Sequence, residues 1–205
     1  MDVLKVLKLG DAVIHMRNDN ITYIIGNKNI AIKPLTPFSD NVCDFLNELS
    51  KRIRSDNEAS LFSDVMALAF WCRKGNIEKL KDDYKSNKKR IGRGLAFHIT
   101  PSNVPINFAF SYFFGLLSGN SNIVRIPSKK FPQVDIICRI IKEVLQEDEY
   151  KLIKDDTTMI TYKRDDSITS YFSSICDCRI VWGGNETIKS IRSEERRVGK
   201  ECSQG

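Results

Sequence analysis

Histidine is scarce in this sequence: two, His15 and His98, in 205 residues. The six cysteines, Cys43, Cys72, Cys138, Cys176, Cys178 and Cys202, form no C-x-x-C pair. Structural zinc sites need cysteine and histidine at close, repeated spacing, so this pattern argues against a zinc centre and the thiols read as reduced packing residues. Long apolar runs are also missing. The longest, residues 108–117, is broken by Ser111, Tyr112 and Gly115 and falls well short of the roughly 20 residues that span a bilayer. The amino terminus, MDVLKVLKLGDAVIHM, has an early acid and no small-residue cleavage site behind an apolar block, so it does not read as a signal peptide. A cytoplasmic protein is the expectation. Neither G-x-G-x-x-G nor G-x-x-x-x-G-K-[ST] occurs, which removes the usual dinucleotide fingerprint and the P-loop.

What is present is a globular composition, 41% hydrophobic, with a formal charge of +6. Much of the positive charge sits in KSNKKRIGR, residues 85–93, and in the tail. A short basic run between a helix and a strand reads as a solvated connection, and no nucleic-acid partner is expected. The chain opens with three extended segments, AVIHMR, ITYIIG and IAIKP, separated by RNDN and NKN turns, a pattern that predicts β-hairpins in a small antiparallel sheet. From Asp40 the period becomes helical, with Val42, Phe45, Leu46, Leu49 and Ile53 on one face and Asp40 as the cap. Further helices are predicted over 61–71 and 77–84.

After Arg93 strands and helices alternate: strands at 95–99, 122–126, 158–162 and 179–182, helices at 106–117, 133–145 and 167–174. Such alternation implies parallel βαβ units with helices on both faces of the sheet, and ligands in these sheets sit at the carboxyl ends of the strands. Three loops fall there: HITPSNVPIN (98–107), RIPSK (125–129) and VWGGNET (181–187). In the first, Pro101 and Pro105 fix their own φ and push Thr100 and Val104 away from helical geometry, which makes a stiff, exposed loop. Asn103, between them, is suited either to donate to a ligand or to cap the following helix.

Together the three loops resemble the cofactor domain of the aldehyde dehydrogenase superfamily, in which successive strands end in P-x-N-x-P, K-P-S-E and G-S-T-E type loops. The counterparts are Pro101-Ser102-Asn103-Val104-Pro105, Ile126-Pro127-Ser128-Lys129 and Gly183-Gly184-Asn185-Glu186. Within that superfamily the chain resembles the acyl-CoA reductase family of bacterial bioluminescence (LuxC type), through ALAFWCRKGNI (67–77), RGLAFHITPSNVPINFAFSYFFGLLSGNSNIVRIPSK (93–129) and VWGGNETI (181–188).

The resemblance implies an aldehyde-dehydrogenase-like α/β fold: strands and helices over 1–92, then the first part of a Rossmann-like NADP-binding domain over 93–192. It implies NADPH-dependent reduction of a fatty acyl-CoA, or of an acyl group handed over by a partner acyl-protein synthetase or transferase, to the aldehyde through an acyl-cysteine thioester. A homo-oligomer is implied for the full-length enzyme. Asn103 matches the side-chain donor to the oxyanion. Thr100, Pro101 and Ser102 would line the adenosine side, with Ser128 and Lys129 at the second strand end. Lys129, where NAD-preferring relatives carry a glutamate, and Arg125 suit a 2′-phosphate, although Ile126 replaces the lysine usual two residues before the serine. Trp182, Gly183, Gly184 and Thr187 would close the pyrophosphate side. His98 reads as a packed, hydrogen-bonded residue. No cysteine matches the family nucleophile, and Cys176 and Cys178 are expected to face opposite ways along one extended segment. Residues 193–205, beginning SEERRVGKEC, read as an artefactual tail. The chain alone is therefore expected to hold the cofactor half of the enzyme and not to turn over acyl-CoA.

Overall fold

The computed structural model describes residues 20–85 and 88–184. Strand β1 (Thr22–Ile25) comes first, followed by helices α1 (Asp40–Ser55), α2 (Ser63–Trp71) and α3 (Lys74–Asp83). The alternating part then runs β2 (Leu95–Ile99), α4 (Asn107–Leu117), β3 (Ser121–Arg125), α5 (Pro132–Val144), α6 (Lys151–Asp155), β4 (Thr157–Thr161), α7 (Asp166–Ile175) and β5 (Cys178–Val181). The strands form one sheet in the order β1-β4-β3-β2-β5. Pairing is parallel from β4 through β3 and β2 to β5, whereas β1 lies antiparallel to β4.

Period-2 alternation places the two faces of this sheet in two cores. Leu95, Phe97 and Ile99 of β2, Ile123 of β3 and Ile160 of β4 pack with Ile168 and Phe172 of α7. Val124 and Met159, on the other face, join the larger cluster built from α1, α2, α4 and α5. Both faces are thus covered, as a parallel sheet requires. Helix α1 shows how sequence sets this layer: Val42, Phe45, Leu46, Leu49 and Ile53 are all buried at a spacing that makes one apolar stripe.

Three expectations for the first part are corrected. ITYIIG is not half of a hairpin; its strand β1 closes the edge of the main sheet, with Thr22 opposite Thr161. IAIKP is not a strand, because its backbone donors are taken singly by scattered acceptors: Ala31 N–H donates to the Asp155 carbonyl (3.0 Å), Lys33 N–H to Ser121 Oγ (3.1 Å) and Leu35 N–H to the Gly119 carbonyl (2.8 Å). The segment therefore runs across the amino ends of β3 and β4. Asp40 does not cap α1; Ser39 holds that position without a side-chain hydrogen bond, and Asp40 pairs with Lys81 at 2.8 Å, which holds its carboxyl below the usual range. The segment AVIHMR lies outside the described residues.

Two features fix the amino side of the sheet. The Leu35 peptide sits between two glycines: Gly92 N–H donates to its carbonyl (2.9 Å) while its own N–H reaches Gly119. A side chain on either glycine would strike backbone, that of Gly119 from position 92 and that of Leu35 from position 119. Nearby, Asp156 is buried just ahead of β4, with Oδ1 unpartnered and Ser121 hydrogen bonded to the carboxyl. Burial raises this carboxyl to about 7, so it favours the protonated form in the fold.

Candidate functional site

From β2 the chain moves to β3 on one side, and β5 later arrives on the other. This reversal of winding opens a crevice between the carboxyl ends of β2 and β5 that is the general ligand position of doubly wound sheets. The three predicted loops all lie there: 100–106 after β2, 126–131 after β3 and 182–184 after β5. Backbone and side-chain bonds tie them together. Trp182 N–H donates to the Ile99 carbonyl (2.9 Å), and Thr100 Oγ1 donates to the Arg125 carbonyl (2.9 Å).

In the first loop Asn103 and Ser102 are exposed and Pro101 is half-buried. The alternative of Asn103 as a helix cap is overturned, since α4 starts at Asn107 with Ile106 in the cap position and no side-chain cap bond. In the second loop Ser128 and Lys129 are exposed. The Lys129 ammonium lies 5.1 Å from the centre of the Phe131 ring, and the Arg125 guanidinium stacks 4.2 Å over Tyr162. Tyr162 is held in turn by a 3.0 Å hydrogen bond with Thr169 of α7. Two cations with restrained side chains thus stand at the end of β3, where an anionic group is attracted by charge and by bidentate geometry. In the third loop Trp182, Gly183 and Gly184 are exposed, and among the described residues a side chain at 184 would meet nothing within 4 Å. Thr187 lies outside the described residues, as do residues 193–205, Cys202 and the helix start expected at Asn185.

Behind the crevice runs a line of buried polar groups. His98, in the middle of β2, is fully buried between Ser111 of α4 (Nδ1 to Oγ, 2.8 Å) and Asn122 of β3 (Nε2 to Oδ1, 2.9 Å). Asn122 Nδ2 donates to the Asn120 carbonyl (2.6 Å), and Trp182 Nε1–H donates to Ser111 Oγ (2.9 Å). One proton arrangement satisfies every member. Asn122 Oδ1 only accepts, so His98 carries its proton on Nε2; Nδ1 then accepts from the Ser111 hydroxyl, whose oxygen accepts from Trp182. Burial lowers His98 to about 4, which keeps the imidazole neutral and fits a packed residue, not a proton carrier.

Four of the described thiols are held away from the nucleophilic form. Burial pushes Cys43 and Cys72 up, Cys138 up to about 12 and Cys176 up, away from the thiolate form. Cys176 is the residue after the last of α7 and Cys178 begins β5, with a bend at Asp177 between them, so the two do not share the single extended segment expected of them. Among the described residues no cluster of histidine, cysteine and acidic side chains could hold a metal, and no helix is long and apolar enough to cross a membrane. A cavity of about 570 Å³ lies elsewhere, between β1, residues 26–31 and the end of α5, and contains none of the strand-end residues.

Ser111, Asn122 and Tyr162 were not singled out from sequence. The first two had a signal: a serine inside NFAFSYFFGLL and an asparagine inside SNIVR are polar residues at core positions, which demand partners.

His98 and Asp156 titrate in opposite senses, with a measurable result. Between about pH 4 and 6.5 the unfolded chain binds a proton at His98 that the fold excludes, so stability rises with pH; the fold keeps a proton on Asp156 that the unfolded chain has lost, so stability falls. The two slopes offset each other in the wild-type chain. In Asp156→Asn the histidine slope is no longer offset, and stability should climb by on the order of 2 kcal/mol from pH 4.5 to 6.5. Urea midpoints at the two pH values check this; a variant as flat as the parent would contradict it.

A search of curated proteins returned no match for this chain. A protein-family model, described as acyl-CoA reductase (LuxC), matches residues 39–204. The match takes in α1 to β5, all three strand-end loops and the stretch 193–204 that was set apart above by its sequence. With this match over most of its length, and with an α/β fold whose mixed five-stranded sheet is flanked by helices, the chain belongs to the acyl-CoA reductase (LuxC) family.

Proposed function

We propose that the crevice between β2 and β5 holds NADPH and serves the reduction of a fatty acyl-CoA to its aldehyde by way of an acyl-cysteine thioester. The observation that carries this reading is the convergence of the 100–106, 126–131 and 182–184 loops at a point where the strand order reverses. The donor set fits the group: Arg125 and Lys129 supply positive charge at the end of β3, and the open backbone at Gly184 leaves room for a phosphate-bearing ligand. Bound there, NADPH supplies the hydride equivalent.

The chain's own residues bind and orient. Thr100, Pro101 and Ser102 line the adenosine side with Ser128, Lys129 and Arg125 at the 2′-phosphate, and Trp182, Gly183, Gly184 and Thr187 border the pyrophosphate. Asn103 is exposed and free of any capping role. Its amide, between two prolines, donates to the oxygen that becomes negative as the thioester carbonyl turns tetrahedral. A thiolate suits that step as a strong nucleophile and a good leaving group; it is supplied from outside the described residues.

Fluorescence titration of the chain with NADPH and NADH tests the proposal. NADPH is expected to bind more tightly, by tenfold or more, roughly the value of a charge-assisted phosphate contact, and Lys129→Glu should remove that preference. Equal affinities for the two nucleotides, unaffected by Lys129→Glu, would overturn the assignment of the 2′-phosphate site.

A further inference from the structure

The line of buried polar groups behind the crevice is not explained by packing. His98, Ser111 and Asn122 are fully or almost fully buried on the α4 side of the sheet, the side whose core includes Phe108, Tyr112, Phe113 and Val124. Polar groups there forgo hydration, and apolar side chains of similar volume would fill the space at lower cost. The groups are also fitted closely together. A side chain at Gly115 of α4 would strike Asn122 Oδ1 and come within 2.8 Å of His98 Cε1, so the helix approaches the sheet only because residue 115 has no side chain.

The line ends at the surface. Trp182, 39% exposed, hands its single polar atom inward to Ser111 at 2.9 Å and leaves the rest of the ring at the crevice between β2 and β5. An exposed tryptophan gains little from burial, yet this one is held at two points, by its backbone N–H on Ile99 and by its indole N–H on Ser111. Because Ser111 is itself oriented by His98, and His98 by Asn122, the pose of the ring is set from inside the sheet.

We propose that Asn122, His98 and Ser111 act together as positioning residues that lock the Trp182 indole as a rigid aromatic wall of the crevice, against which a planar ring of the bound nucleotide packs. This rests on the cofactor reading above and extends it to three residues that touch no ligand. A fixed ring costs less freedom on binding than a mobile one, and aromatic faces favour offset stacking with another ring. His98 is neutral in this arrangement, with donor and acceptor nitrogens each used once, so donation runs in one direction, from Trp182 through Ser111 and His98 to Asn122.

A double-mutant cycle on the full chain tests it, with NADPH as the probe. Ser111→Ala removes the acceptor of the indole N–H and adds no bulk to α4. It is expected to weaken NADPH about tenfold, the value of a lost hydrogen bond plus freed rotation. Ser111→Thr, which restores the hydroxyl, should recover affinity to within about twofold of the parent. In a Trp182→Phe background there is no indole N–H, and Ser111→Ala should then change affinity by less than about twofold. Emission of Trp182, read in a Trp71→Phe background because the chain has two tryptophans, should lose anisotropy in Ser111→Ala before any ligand is added.

If Ser111→Ala weakens NADPH equally with and without the indole, or if Trp182 keeps its anisotropy, the positioning role is overturned and the cofactor reading stands. If the parent chain fails to bind NADPH while Trp182 anisotropy still depends on Ser111, the cofactor reading is overturned, and the wall's proposed use with it.

Discussion

Gly119→Ala is expected to cost about 3–5 kcal/mol, a third or more of the stability of an ordinary domain. Two penalties combine. Gly119 has φ +79°, a left-handed conformation that a side chain enters only at a cost of about 1 kcal/mol or more. An added Cβ would also collide with the Leu35 carbonyl. That carbonyl is backbone already bonded to Gly92 N–H, so it cannot swing away as a flexible side chain would, and relief requires pulling residues 34–36 off the sheet. Gly75→Ala is the natural control. Gly75 lies inside α3 with nothing within 4 Å of an added methyl, so the same substitution there should stabilise by about 0.5–1 kcal/mol. Urea unfolding of the two variants beside the parent decides the matter; a loss below about 1 kcal/mol at position 119 would show that the clasp yields.

Phe97→Ala should cost a similar amount, about 3–5 kcal/mol. Phe97 is fully buried in β2, which has a parallel neighbour on each side, and its ring lies 5.1 Å from that of Phe172. The space it leaves is walled by strand backbone and by α7, elements that cannot close in without breaking ladder bonds, so the cavity persists. Phe172→Ala removes the partner from the helix side. Because the rings touch, the double variant should be less damaging than the sum of the single ones by about 0.5–1.5 kcal/mol. Strict additivity in thermal or urea unfolding would mean that the two rings do not interact.

How much of this was written in the sequence differs from one end of the chain to the other. The strand predicted at 95–99 coincides with β2, and the other parallel strands fall within a residue of their expected places. These segments are short β-branched or apolar runs, most of them bounded by proline, glycine or serine, so local pattern and tertiary environment agree. Residues 20–39 were harder to read. ITYIIG carries a strand signal, but nothing local says that its partner is residue 161 and not the next extended segment. IAIKP has the same alternation, yet its donors go one at a time to Asp155, Ser121 and Gly119, an arrangement that periodicity does not encode. Helix α6 (Lys151–Asp155) is a single turn and left no periodic trace.

For the site, the strand-end loops were legible because proline and glycine mark them. The exposure of Asn103 was consistent with a stiff loop, while its alternative role at the helix start failed because the chain needs three further residues before α4 begins. The support behind the loops was less visible. Ser111 and Asn122 could be noticed as polar residues in apolar runs, but their meeting at His98 depends on helix α4 crossing β2 and β3 at Gly115, and the pairing of Arg125 with Tyr162 joins two strands.

The antiparallel attachment of β1 bears on the order in which the fold is assembled. The parallel strands β2, β3 and β4 follow one another in sequence and can zip together through their intervening helices, each closing a modest loop. β1 must wait, since its register with Thr161 spans nearly all of the described chain and the entropy of that closure is recovered only once β4 presents a formed edge. It is therefore expected to be the last strand to dock and the first to detach, a hasp over a sheet already built.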